Sequence, residues 1–124
     1  MKERYSARSK GQYGEEIAVE YLKNIGYSIV DINYRNCFGE IDIIAKEGGA
    51  LVFVEVKTRN TPYYGLPVMA VDFRKQQRMS KVAAAYITQK KLTDYPVRFD
   101  VVSVCGNNIE VIKDAFELNE GFLW

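Results

Sequence analysis

Gly39-Glu40-Ile41-Asp42-Ile43-Ile44-Ala45-Lys46-Glu47-Gly48-Gly49-Ala50-Leu51-Val52-Phe53-Val54-Glu55-Val56-Lys57-Thr58-Arg59 reads as two β-strands joined by a tight turn. Two consecutive glycines between apolar runs are a strong hairpin signal, because both can take φ > 0. With Gly48 and Gly49 as the turn, Glu47 faces Ala50. Counting outward, Asp42 falls opposite Glu55, and Glu40 opposite Lys57. Directly opposed side chains share a face, with Cβ atoms roughly 5 Å apart. Two carboxylates that close repel unless a proton or a cation lies between them. Hard cations such as Mg²⁺ are held by one or two carboxylates with waters and a phosphate. Lys57 lies two residues beyond Glu55, so it points to the same face. Val52, Val54 and Val56 alternate with Leu51 and Phe53, so both faces of this arm are apolar and the strand is central. Charges entering where such a run ends predict the rim of a cleft, since ionised groups are rarely buried without partners.

Upstream, Tyr27 to Tyr34 is β-branched and aromatic, a further strand, and Arg35 to Gly39 reads as a turn. Before it, Ser9 to about Ile25 is helical in pattern. Tyr13, Ile17, Tyr21, Leu22 and Ile25 form the apolar stripe, with Ser9 as N-cap and Gly26 as stop. Glu15 stands at the border of that stripe, roughly 110° from its centre at 100° per residue. It is either an ordinary surface glutamate or one that leans toward the sheet. Downstream, Asn60 to Pro67 is a loop that could form a lip of the cleft. Its tyrosines could stack on bases or simply cover the core. A second helix runs from Val71 or Asp72 to about Lys91, capped by Asp72, with Phe73, Met79, Val82, Ala83, Tyr86 and Ile87 in its packing stripe. Lys75, Gln76 and Arg78 stand one to two turns in, where a phosphate could meet them; the alternative is a solvated basic face. Val97 to Val104 is a strand, Ile109 to Ile112 a short one, and the tail from Phe116 packs on the body. The order is α-β-β-β-α-β-β, a mixed α/β domain with helices covering a central sheet. Residues 1–8 read as a flexible N-terminus, and 9–124 as one domain.

Composition narrows the chemistry. The 124 residues include no histidine, which excludes His-based zinc sites and Ser-His or Cys-His triads. No phosphate-binding glycine loop, dinucleotide fingerprint or Cys-x-x-Cys pair occurs. The sequence has no signal-peptide pattern and no stretch of membrane-spanning length. Cys37 and Cys105 then read as reduced thiols of a cytoplasmic protein. The formal net charge is only +1, yet Lys57 to Lys91 holds eight basic residues and one acid, Asp72. Such a local patch can meet phosphates.

The ordered set Gly14-Glu15-Glu16-Ile17-Ala18, Gly39-Glu40-Ile41-Asp42, Glu55-Val56-Lys57-Thr58-Arg59, Lys75-Gln76-Gln77-Arg78-Met79 and Arg98-Phe99-Asp100-Val101-Val102 resembles the YraN family of endonuclease-like bacterial proteins. The Asp42…Glu55-x-Lys57 pattern is similar to that of the PD-(D/E)XK nuclease superfamily, although Ile41 stands where that name has Pro. The resemblance implies a restriction-endonuclease-like core and metal-dependent hydrolysis of phosphodiester bonds in DNA, branched or junction DNA included. By the same resemblance Asp42, Glu55, Lys57 and Glu15 are catalytic. Asp42, Glu55, the Val56 carbonyl and Glu15 would hold Mg²⁺ or Mn²⁺, and Arg59, Lys75, Gln76 and Arg78 would hold the nucleic-acid backbone. A junction cutter would want a two-fold homodimer, which Phe122 and Trp124 could serve. Two alternatives are a nucleic-acid-binding module without turnover and a scaffold domain in which the charged residues form an ion-pair network.

Overall fold

The computed structural model describes residues 10–118, with side chains from residue 12 onward. Residues 1–8, the Ser9 cap, Phe122 and Trp124 lie outside the described residues. The elements are α1 (Lys10–Asn24), β1 (Ser28–Asn36), β2 (Gly39–Glu47), β3 (Ala50–Thr58), a 3₁₀ turn (Pro67–Ala70), α2 (Phe73–Lys90), β4 (Val97–Cys105) and β5 (Asn108–Phe116). This is the expected order, with the short 3₁₀ turn added. The five strands form one mixed sheet in chain order, and β3 is its middle strand. β3 and β4 pair in parallel and the other neighbours antiparallel. Parallel neighbours need a long crossover, and α2 supplies it.

One apolar layer joins α2 to the sheet through Ile41, Ile44, Leu51, Phe53, Met79, Tyr86 and Phe99. The other joins α1 through Ala18, Leu22, Ile43, Val52, Val54 and Val102. The face of α1 that is buried differs from the expected stripe. Tyr13 and Ile25 are exposed, while Ala18, Val19 and Leu22 are buried. Small residues decide this. Gly14 packs so closely on β3 that an added Cβ would lie 2.3 Å from Thr58 Oγ1. With the buried face centred near Ala18, Glu15 is roughly 60° from its centre at 100° per residue, so it belongs to that face.

The Gly48-Gly49 turn sets the register that was expected, with Glu47 opposite Ala50 and φ of 58° and 83° at the glycines. The ladder then runs to Ile43 opposite Val54 and stops there. On its other edge β2 pairs Ile43 with Ile32 and Ile41 with Tyr34, passing over Asp42. Ile41 and Ile43 fall in different layers, so the alternation of faces slips at Asp42. The regular opposition of Asp42 to Glu55 and of Glu40 to Lys57 is therefore corrected. Glu40 pairs instead with Arg35 across β1.

Two further boundaries move. β1 continues through Arg35 and Asn36, because the Asn36 side chain closes the turn by accepting from Phe38 N at 3.0 Å. β5 runs on to Phe116 past a left-handed Asp114, whose N–H donates to buried Asp100 at 3.0 Å. Phe73, expected in the packing stripe of α2, is exposed at its first turn. The Asp72 cap holds, accepting from Lys75 N at 2.9 Å. Among the described residues no helix is long and apolar enough to cross a membrane.

Candidate active site

Four elements converge where β2 and β3 part. Glu55 is the last buried residue of β3 and is 5% exposed. A carboxylate so placed needs partners, and two lysines provide them. Lys57 Nζ lies 3.6 Å and Lys75 Nζ 3.5 Å from the same oxygen, Oε2. Lys57 comes from the same strand, on the face expected. Lys75 reaches across from the first turn of α2.

Asp42 is tied to β3 through its side chain: the Val56 N–H donates to Oδ2 at 2.8 Å. Burial first, and then the Glu55 charge, push the Asp42 carboxyl up to about 7, against the pull of the Val56 N–H. The two carboxyl groups are near enough to share a hydrogen bond, so the proton belongs to the pair. Glu15 approaches from α1. Burial raises its pKa, the Glu40 charge adds to this, Asn33 opposes it by hydrogen bonding, and Glu55 raises it further.

Asp42 begins near 3.8 and is raised in the fold, so its contribution to stability is complete below that value and is lost as pH rises through about 7. Glu15 acts in the same direction. Glu47 is lowered by its hydrogen bond to Arg98, so its contribution is lost only in more acidic solution, below its ordinary 4.5. The protein in EDTA is therefore expected to melt at higher temperature at pH 5.5 than at pH 8. A divalent cation should raise the melting temperature more at pH 8 than at pH 5.5. Calorimetry showing a flat profile from pH 5.5 to 8 would contradict this.

The residues expected to hold a nucleic-acid backbone divide. Arg78 is exposed and so is Arg74, one turn earlier on the same helix. Lys75 belongs to the carboxylate site. Gln76 braces the loop before α2, its amide donating to Val68 O and Val71 O at 2.8 Å each. Arg59 is half-buried, donates to Ala70 O at 3.4 Å and stacks on Tyr63 at 5.1 Å. Its Nε is buried without a partner. Arg59 and Gln76 thus position a loop in this structure.

One residue was missed. Asn33 lies in β1 at the position that the register places beside Asp42, with a left-handed φ of 55°. Its side chain bonds Glu15. Asparagine tolerates that conformation better than most residues, and is depleted in strands. An Asn within a β-branched run was the available signal.

Among the described residues no three His, Cys, Asp or Glu side chains gather closely enough to hold a metal ion by themselves. Asp42 and Glu55 are two carboxylates near each other, and Mg²⁺ is commonly held by only one or two carboxylates with several waters. An open hollow of about 390 Å³ lies elsewhere, lined by Glu16, Ile17, Glu20, Tyr21, Asn24 and Ile109.

Comparison with known proteins accords with the motif blocks. The model of the uncharacterised protein family UPF0102 matches residues 14–104. A UPF0102 protein of Syntrophus aciditrophicus is 52% identical over 115 residues, covering 90% of this chain and 91% of that one. Another, of Persephonella marina, is 44% identical over 110 residues, 89% and 95% of the two chains. A third, of Alkaliphilus metalliredigens, is 46% identical over 113 residues, 89% and 99%. With a family model spanning most of the sheet and relatives matched over nearly their whole length, the chain belongs to the UPF0102 (YraN) family.

Proposed function

We propose that this protein is a metal-dependent nuclease with a restriction-endonuclease-like core, hydrolysing phosphodiester bonds in DNA, with branched or junction DNA among its substrates. The observation that carries the reading is the pairing of buried Glu55 with Lys57 and Lys75 beside a protonatable Asp42. A structural ion pair needs one lysine. The second carboxylate beside this pair would give a cation two anionic ligands, and the second lysine is one that can leave Glu55 when a cation takes its place.

Asp42, Glu55 and the Val56 carbonyl would hold Mg²⁺ or Mn²⁺, with Glu15 at the edge of the set. Bound there, the ion would supply Lewis acidity and a water of lowered pKa. The residues do the rest. Val56 N–H fixes the orientation of the Asp42 carboxylate. Lys57, held against Glu55, would orient the attacking water or meet charge developing on the phosphate. The water oxygen would bond to phosphorus as the ester P–O bond breaks, and the proton that the water gives up would pass through solvent to the leaving oxygen. Lys75 would be released from Glu55 toward a phosphate once a cation replaces it. The cytoplasm is the compartment that fits, where Cys37 and Cys105, unpaired in the structure, would stay reduced. A homodimer would suit a junction, and Phe122 and Trp124, outside the described residues, could serve it.

A second reading is a nucleic-acid-binding module without turnover. It draws on the two lysines already neutralising Glu55 and on the lack of a third convergent carboxylate among the described residues. Cleavage separates the two. Purified protein is incubated with duplex, single-stranded, flap and four-way DNA, with Mg²⁺, Mn²⁺ or EDTA, beside Lys57→Ala. Divalent-dependent cutting that Lys57→Ala reduces by roughly a hundredfold or more is expected, the scale of losing one transition-state contact. Binding with no cutting on any substrate would overturn the catalytic reading.

A further inference from the structure

We propose that the apolar prominence between β3 and α2 is a platform on which unpaired bases of a nucleic-acid strand stack, so that substrates with unpaired nucleotides are preferred. The inference rests on the nuclease or binding reading above and names its substrate class. Tyr64 is 88% exposed, Leu66 and Met69 69% each, and Phe73 68%. Four large apolar side chains within ten residues thus keep most of their surface in water, a density that marks an interaction site. Tyr63 and Tyr64, adjacent in sequence, do different things. Tyr63 covers the body, donating to Leu66 O and lying under Arg59. Tyr64 touches the outside.

The turn from Leu66 to Val71 is braced. Met69 N donates to Leu66 O at 2.9 Å, and the Gln76 amide clamps Val68 O and Val71 O. Ala70 and Val71 are buried in the α2 layer. The segment leaves the strand that carries Glu55 and Lys57, and enters the helix whose Lys75 reaches Glu55. Its position beside the site is therefore set at both ends.

Charge selects the occupant. Arg74 and Arg78 are exposed one turn apart on α2. The one acid in the segment, Asp72, is occupied as the helix cap. A second copy of the chain, docked through a two-fold interface, would set these arginines against themselves. A nucleic-acid strand offers what both halves of the surface need, phosphates for the arginines and base faces for the tyrosine and phenylalanine. A fully paired duplex keeps its bases stacked and offers only the phosphates.

The test measures binding in EDTA, so nothing is cut. A duplex with a short single-stranded gap containing 2-aminopurine is compared with the same duplex intact. The full chain is expected to quench the gap fluorophore. Tyr64→Ser combined with Phe73→Ser should abolish the quenching and weaken gapped-DNA binding roughly tenfold or more, with intact duplex changed less than about twofold, because base stacking is the term removed. Arg74→Ala with Arg78→Ala should weaken both ligands alike and flatten the salt dependence. If the aromatic double variant binds gapped DNA like the unaltered protein, the platform is refuted. Sedimentation showing a dimer that this variant dissolves would refute it in favour of self-association. Gapped-DNA binding that needs Tyr64 and Phe73, with no cleavage under Mg²⁺ or Mn²⁺, upholds the platform and removes only the catalytic reading. Cleavage indifferent to both residues does the reverse.

Discussion

Asp42→Asn is expected to cut phosphodiester cleavage on the order of a thousandfold while raising the melting temperature of the metal-free protein at pH 8. The two effects share one cause. The Asp42 carboxyl is pushed up to about 7 by burial and by Glu55, so above that pH the fold carries a charge it disfavours. Asparagine removes the charge and keeps the shape. Its amide oxygen can still accept from Val56 N–H, and its NH₂ can donate to Glu55. What is lost is half of the carboxylate pair that would hold a cation. Glu55→Gln should behave differently: activity falls similarly, but Lys57 and Lys75 both lose their partner, so stability falls as well. Parallel melts and cleavage rates of the two variants decide the matter. An Asp42→Asn protein that cuts at the unaltered rate would end the proposal. One that melts lower at pH 8 would refute the account of the pair.

The largest loss of stability is expected far from these groups, at Asp100. This carboxylate is fully buried on β4, in the layer under α1. It accepts from Tyr27 Oη at 2.7 Å, from Arg98 Nε at 2.9 Å, from a second guanidinium N–H at 3.0 Å and from Asp114 N at 3.0 Å. Arg98 is held in turn by Glu47 at 2.7 Å. One side chain thus satisfies a strand, the bulge of its neighbour and Tyr27, three residues beyond α1. Removing one partner of a buried pair strands the other, so Asp100→Ala should cost about 3–5 kcal/mol. For a domain of this size that is a fall of roughly 10–20 °C in melting temperature. Tyr27→Phe should cost about 1 kcal/mol, since it deletes a single hydrogen bond. Equal small losses for both variants, read by calorimetry, would show that the network is not what holds β4 and β5 to α1.

Much of this fold was legible because local signals agreed. The Gly48-Gly49 turn, the doubly apolar β3 and the Asp72 cap each have a short-range cause, and each is found where expected. The failures are of another kind. The α1 stripe was read from large residues, yet Gly14 and Ala18 decide which face docks, because a close approach favours the smallest side chains. The length of β5 depended on Asp100 holding Asp114 in a left-handed turn, a contact between residues fourteen apart in sequence. In the candidate site, Glu55, Lys57 and Asp42 could be named from the hairpin alone. Lys75 could be seen as basic but not as a partner of Glu55, since that contact needs the crossover. Asn33 carried a weak signal only, and the loop tyrosines could not be told apart before their exposure was known.

The same crossover bears on when the site comes into being. The β1–β2–β3 meander joins residues close in sequence, whereas Leu51 meets Val97 only across the whole of α2. Pairings of that separation form late, because chain closure must precede their reward. Until then the hairpin presents Asp42 and Glu55 with Lys57 alone beside them. Lys75 arrives with the helix that closes the sheet. A chain still emerging from synthesis, or partly unfolded, therefore lacks Lys75 at the carboxylates, and the candidate site is complete only once the sheet has closed.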